Sequence, residues 1–262
     1  MTGPPLRLDR RGGVIELVLD RPAHANAIDL GMARALLDAA IRLGEERGLR
    51  AVLLRGEGAM FCGGGDLKAF AAQGEGLAGH LEEVTANLHA AVARFARLDA
   101  PVVAAVHGAA AGAGFSLACA ADLVLAAEGT RFVPAYAKVG LSPDGSLSAT
   151  LPRLVGPRRA LELLLTNRTL HADEAHAWGI VTSVHPVDTL LDAARALAAT
   201  LAEGPTRALG AAKRLVRSGW DTPLEAQMER ESAELAAAAR GADGREGIAA
   251  FLEGRPPRFT AS

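Results

Sequence analysis

Aromatic side chains are scarce in this chain. Only 4% of its 262 residues are aromatic, and there is a single tyrosine. A core of this size must therefore be built from close contacts between Ala, Val and Leu. The two cysteines, Cys62 and Cys119, lie far apart and have no metal-ligand spacing, so no disulfide framework is required. His171 and His176 are five apart, not the four of H-E-x-x-H, and no zinc site is expected. Charge of neither sign dominates. Lys and Arg number 28 against 30 Asp and Glu, for a net charge of -2, so no global basic surface suits nucleic acid or an anionic membrane. No apolar run approaches the ~18 residues of a membrane span. The opening MTGPPLRLDRRGGVIELVLD lacks the basic-then-apolar layout of a signal peptide. These absences lead us to expect a soluble, cytoplasmic protein with no metal, membrane or nucleic-acid partner.

What is present is an alternation of strands and helices over the first 190 or so residues. VIELVLD (Val14–Asp20) alternates apolar with polar residues and predicts a half-buried strand. From Asp29 to Glu46 the period becomes helical, with Asp29 as N-cap. AVLLRG and PVVAAVHG predict two buried strands, each followed by a glycine-rich loop, and DLVLAAE predicts a third. This order implies an α/β fold. Thereafter Thr189–Ala202, Thr206–Ser218, Pro223–Ala239 and Asp243–Glu253 read as helices. We divide the chain into a core, 1–195, and a C-terminal helical region, 196–262. Whether that region packs on its own core or on a neighbouring subunit is open from pattern alone.

The glycine-rich loops carry the first chemical signal. They are MFCGGGDLKAF (Met60–Phe70) and HGAAAGAGFSLA (His107–Ala118). Tiny residues admit a ligand close to the backbone, and the unpaired N–H groups of a helix start stabilise negative charge. Neither loop contains G-x-G-x-x-G or G-K-[ST], which argues against nucleotide binding. The second signal is Asp144, alone among small residues in VGLSPDGSLSATLPR. By itself it reads first as a turn or helix-cap residue. Asp66 reads as the cap of a helix starting at Leu67. His89 reads as a surface or packed histidine, and Tyr136 as a packed core residue. Ser116 lacks the G-x-S-x-G setting of a nucleophile elbow.

Taken together, several stretches are similar to the crotonase, or enoyl-CoA hydratase/isomerase, superfamily. They are DRPAHANAID, MFCGGGDLKAF, APVVAAVHGAAAGAGFSLACAADLVLAAE, RFVPAYAKVGLSPDGSLSATLPRLVG, LLLTNRTLHADEAHAWGIVTSVHP and REGIAAFLEGRPPRF, and they cover essentially the whole chain. The resemblance implies a ClpP-like spiral of ββα units with a C-terminal helical oligomerisation region forming homotrimers or hexamers. It implies an acyl-CoA thioester as substrate. Coenzyme A then arrives as part of that substrate, and no separate cofactor is needed. By residue matching it assigns the thioester-oxygen donors to the amides of Gly63 and Ala113. It assigns coenzyme A contacts to Gly63, Gly65, Asp66, Leu67 and Phe251.

The departures from the family pattern bear on the reaction. Hydratases of the family use two glutamates, and here Ser116 and Tyr136 stand at those positions, which places both on the acyl pocket. G-L-x-P-D resembles instead the branch with a single acid, the enoyl-CoA isomerases and the ring-epoxide isomerase of phenylacetate degradation. That branch implies Asp144 as the acid/base. Ser146 stands where many isomerases have a second glycine. A competing reading comes from the 4-chlorobenzoyl-CoA dehalogenase branch, which implies Asp144 as nucleophile and His89 as base. A third reading is a non-catalytic acyl-CoA binder.

Overall fold

The computed structural model describes residues 3–260. A hairpin of β1 (Leu6–Arg11) and β2 (Val14–Leu19) comes first, its strands antiparallel. The predicted helix follows as α1 (Leu30–Glu45), where the Asp29 side chain accepts the Met32 N–H at 2.8 Å. Next come β3 (Ala51–Gly56), a short α2 (Leu67–Ala71) and the long α3 (Leu77–Arg97). β4 (Val102–Val106), β5 (Ala109–Ala111), α4 (Ala113–Ala120), β6 (Leu123–Ala127) and β7 (Arg131–Val133) form the middle of the chain. α5 (Leu147–Val155), α6 (Pro157–Thr166), β8 (Leu170–His171), α7 (Ala172–Ala177) and β9 (Ser183–His185) complete the α/β part. Four helices close the chain: α8 (Leu190–Glu203), α9 (Thr206–Ser218), α10 (Leu224–Arg240) and α11 (Ala242–Glu253).

The strands form two sheets. The larger has the order β1-β2-β3-β4-β6-β9, and every pair after the first is parallel. The smaller has the order β5-β7-β8. Because β3 and β4 are parallel neighbours, the chain leaves both at the same edge. The two glycine-rich loops therefore emerge side by side, as parallel α/β topology requires. Backbone hydrogen bonds lace them together, Cys62 N–H to the Ala109 carbonyl at 3.2 Å and Ala111 N–H to the Cys62 carbonyl at 2.9 Å.

The expectation of a half-buried β2 needs correction, since all six of its residues are buried. Leu17 and Leu19 pack into the main core with α1 and α3. On the opposite face, Leu53, Val103, Ala105 and Leu125 of the neighbouring strands are covered by Leu190, Ala194 and Ala198 of α8. A domain boundary at residue 195 would cut this helix in two. That helix ends at Glu203, and α9 begins at Thr206.

Glu16 is the polar residue that broke the apolar pattern of β2. Its side chain is 1% exposed and meets three guanidinium groups, Arg11 at 2.6 Å, Arg195 at 2.7 Å and Arg55 at 3.0 Å. Burial alone would raise its pKa. The hydrogen bonds from Arg195 and Arg55, and the charges of Arg195 and Arg11, overcome that and hold it at about 2 instead of 4.5. A carboxylate depressed on folding stabilises the fold above its unfolded pKa, and that contribution is lost as pH falls through its folded one. The gap corresponds to about 3 kcal/mol at neutral pH. Glu16→Gln is therefore expected to lower stability by about 3 kcal/mol at pH 7, measured by urea unfolding. The difference from wild type should shrink between pH 4.5 and pH 2; a difference independent of pH would rule out this origin.

The last three helices are docked by charge as well as by apolar contact. Lys213 and Arg217 of α9 reach Asp122 at 2.7 and 3.0 Å. Their outer faces are apolar: Leu224, Met228, Leu235, Ile248, Phe251 and Leu252 are all more than half exposed. Among the described residues, no helix is long and apolar enough to cross a membrane.

Candidate active site

A cleft of about 280 Å3 opens where the two loops meet α3 and the Ala135–Asp144 segment. Its apolar walls are aliphatic, with Ile28, Leu67, Leu81, Val84, Leu88, Val139 and Leu141, and its rings are Phe70 and Tyr136. The backbones of Gly63, Gly64, Gly65, Gly112 and Ala113 form one side. Asp144 lies among the lining residues together with Tyr136 and Ser142. Thus the topology gathers Gly63, Gly65, Leu67, Ala113, Tyr136 and Asp144 around one space.

On the loop side the question is which amides are free. Gly63 N–H is not, because it donates to the Ala25 carbonyl at 2.8 Å. Ala25 and Asn26 are both left-handed, with φ of 54° and 53°, and this turn presses the Ala25 carbonyl against the loop. Asn26, fully buried, pins the turn by donating to the carbonyls of Glu57, Met60 and Phe61. The assignment of Gly63 as an oxygen-binding donor is thereby corrected. The neighbouring Gly65 and, across the cleft, Ala113 donate to no protein acceptor among the described residues. Ala113 is the first residue of α4, where helical geometry leaves N–H groups unpaired. Gly112 before it has φ 48° and ψ -121°, a conformation that favours glycine.

The acid side is organised around Asp144. Its carboxylate caps no helix; α5 has no side-chain cap, and the residue before it is Ser146. Instead Tyr136 donates its hydroxyl to Asp144 Oδ1 at 2.6 Å. Ser116 Oγ, fully buried on α4, lies 2.9 Å from both the Asp144 carbonyl oxygen and the Tyr136 hydroxyl. Burial, with the charge of Asp144 and the hydrogen bond to it added, pushes the Tyr136 phenol far above its usual range. It is a fixed proton donor. Nothing in the sequence signalled that the two residues standing at the hydratase acid positions would both bind the aspartate.

His89 sits half-exposed on α3, with Nε2 4.0 Å from Asp144 Oδ2. That nitrogen accepts the Gly145 N–H at 3.0 Å. His89 thus ties α3 to the turn after Asp144, and the nitrogen nearest the acid has its lone pair engaged. The turn itself is left-handed at two residues in succession, Gly145 with φ 59° and Ser146 with φ 76°. Ser146 bears a Cβ there, and its Oγ is buried without a hydrogen-bond partner among the described residues. A non-glycine residue in this region costs about 1–2 kcal/mol, and an unsatisfied buried hydroxyl about as much again. Part of this is offset by the greater unfolded-state entropy of glycine. Ser146→Gly is expected to raise stability by about 1 kcal/mol in equilibrium unfolding. A destabilised variant would overturn this account of the turn.

The remaining candidates divide. Asp66 is occupied: it caps α2 by accepting the Ala69 N–H at 3.1 Å and lies 3.4 Å from Arg21. It is absent from the cleft wall. Phe251, on α11, is 85% exposed and also absent from that wall, so the chain by itself does not bring it to a ligand in the cleft. Cys62 and Cys119 are both free and buried. Burial pushes the Cys62 thiol up to about 12, so it is no nucleophile despite lying directly behind the loop.

Comparison with known proteins identifies the family of the chain. Residues 9–262 match a family model described as enoyl-CoA hydratase/isomerase. The chain is 39% identical over 249 residues to a 1,2-epoxyphenylacetyl-CoA isomerase of Escherichia coli (strain K12), covering 95% of each chain. It is 34% identical over 227 residues to 4-chlorobenzoyl coenzyme A dehalogenase-2 of Arthrobacter sp, covering 86% of this chain and 82% of the other. The crystal structure of an enoyl-CoA hydratase from Polaromonas sp. JS666 superposes with a TM-score of 0.93 at 34% identity, over 97% of this chain and 99% of that one. The names span three reactions, so the choice among them rests on the residues of the cleft.

Proposed function

We propose that this protein, which belongs to the enoyl-CoA hydratase/isomerase family, is an isomerase of acyl-CoA thioesters that uses Asp144 as its one acid/base. The observation that carries the reading is the pairing of Asp144 with Tyr136 and Ser116 in a cleft whose other side bears free amides. A thioester oxygen would sit between the Gly65 and Ala113 amides. Asp144 takes a proton from the α-carbon of a 3-enoyl thioester, and the electrons of that C–H bond pass into an enolate held by the two amides. The same carboxyl group then returns the proton at the γ-carbon, and the double bond comes to lie between α- and β-carbons. One base serves both steps while the cleft is filled by substrate. A ring epoxide beside the thioester could be rearranged through the same stabilised oxygen, which the name of the Escherichia coli relative supports as a substrate class.

Two-acid hydration is disfavoured because Ser116 and Tyr136 are engaged with each other and with Asp144, and neither is a carboxylate. Hydrolytic dehalogenation needs His89 to take a proton from water, and the His89 nitrogen facing Asp144 already accepts the Gly145 amide. The apolar outer faces of α10 and α11 support assembly into trimers or hexamers. The test is to mix the protein with a 3-enoyl-CoA and follow ultraviolet absorbance of the conjugated 2-enoyl thioester, with ring-epoxide and 4-chlorobenzoyl thioesters run beside it. Conjugation or epoxide rearrangement is expected; chloride release alone would transfer the assignment to the dehalogenase reading.

A further inference from the structure

We propose that Tyr136 is a positioning residue that reserves Oδ2 of Asp144 as the single proton-carrying oxygen. The inference rests on the isomerase reading and deepens it. A free carboxylate has two equivalent oxygens and rotates about its Cβ–Cγ bond, and each is a competing base. Here one is taken. Tyr136 donates to Oδ1 at 2.6 Å, and a phenol that stays protonated cannot release that grip by ionising. The main chain is held too. Ser116 Oγ lies 2.9 Å from the Asp144 carbonyl, and the Leu147 N–H donates to the same carbonyl at 3.1 Å. His89, through the Gly145 amide at 3.0 Å, fixes the next peptide. Around the carboxyl group the titratable neighbours are therefore Tyr136 on Oδ1 and His89, 4.0 Å from Oδ2.

The consequence is chemical. The α-proton leaves carbon for Oδ2, the C–H electrons enter the enolate, and the O–H electrons return to Oδ2 when the proton reaches the γ-carbon. No other oxygen or water takes part, so the proton travels along one face of the substrate and does not exchange. Ser116 and Tyr136, at the places where two acids would activate water, instead hold the single base still and keep water from Oδ1.

The experiment is Tyr136→Phe, which removes the hydroxyl and keeps the ring. A 3-enoyl-CoA carrying deuterium at the α-carbon is converted, and the label at the γ-carbon is read by mass spectrometry. Wild type should retain most of the transferred label. The variant should lose about 10- to 100-fold in kcat with little change in KM, the signature of lost orientation, and its label should wash out toward solvent as water replaces the phenol at Oδ1. Asp144→Asn is the parallel control. If that control is inactive while Tyr136→Phe matches wild type in kcat and label retention, the positioning role is overturned and the isomerase reading stands. If wild type itself moves no double bond, the isomerase reading fails. The geometric part is still tested in ligand-free crystals, where a rotated or split Asp144 carboxylate in Tyr136→Phe upholds the clasp and an unmoved one overturns it.

Discussion

Asp144→Asn is expected to lower turnover of a 3-enoyl-CoA by about 100- to 10,000-fold, the usual contribution of a positioned acid/base group. The substitution is nearly isosteric. The amide oxygen can still accept the Tyr136 hydroxyl, and the main-chain bonds from Leu147 and Ser116 are untouched. The amide nitrogen, placed where Oδ2 was, can neither accept the α-proton nor return it. Folding and thioester affinity should therefore survive, so the loss should fall on kcat and not on KM. Calorimetry with a non-reactive acyl-CoA checks the binding half. A variant that keeps more than about a tenth of wild-type turnover would sink Asp144 as the base. Glu82, the other carboxylate on the cleft wall, would then need the same test, although it is exposed on the outer turn of α3. A variant that loses affinity along with turnover would point to a structural role. Full binding function in the absence of any turnover by wild type would favour the non-catalytic binder.

The fold was largely legible because its signals are local. Asp29 announces α1 and does cap it, and the C-terminal helices fall within a residue or two of the stretches that Gly204-Pro205 and Trp220–Pro223 separate. The burial of β2 was not legible, because the helix that covers its second face, α8, lies about 175 residues downstream and declares nothing about its partner. The site divides in the same way. Ala113, put forward by matching residues, does open a helix and keeps an N–H with no acceptor among the described residues. Gly63 and Gly65 could not be told apart, because both are glycines in one loop. Their difference is made by the Ala25 carbonyl, delivered from a left-handed turn almost forty residues earlier. The clasp on Asp144 is likewise a meeting of α4, the turn at Tyr136 and the turn at Gly145. Sequence showed that two acids were missing; only the packing shows what stands in their place.

Gly114→Ala is expected to cost about 10- to 1,000-fold in kcat without touching any reacting group, because it would move at once both amides proposed to hold the thioester oxygen. A Cβ at Gly114 would lie 2.5 Å from the Cys62 carbonyl oxygen, 2.7 Å from its Cβ and 2.9 Å from its Sγ. None of these atoms can step aside cheaply. Cys62 is fully buried, its N–H is bonded to Ala109, and its carbonyl accepts the Ala111 N–H. The collision must therefore be relieved by shifting α4 away from the first loop. Ala113 immediately precedes the new methyl group on α4, and Gly65 lies three residues beyond Cys62 on the loop that is pushed. An oxyanion site works by donors fixed before charge develops, so a shift of several tenths of an ångström between the two amides weakens them where it matters most. Overpacking of this kind also costs about 1–3 kcal/mol of stability, which thermal unfolding would register. The informative comparison is Ala113→Gly, which keeps the same amide and adds no atoms. Its turnover should stay within a few-fold of wild type, because the donor belongs to the backbone. If Gly114→Ala turned over normally while Ala113→Gly did not, the chemistry would depend on the Ala113 methyl group and not on the spacing of two N–H groups, and the oxyanion assignment to Gly65 and Ala113 would have to be abandoned.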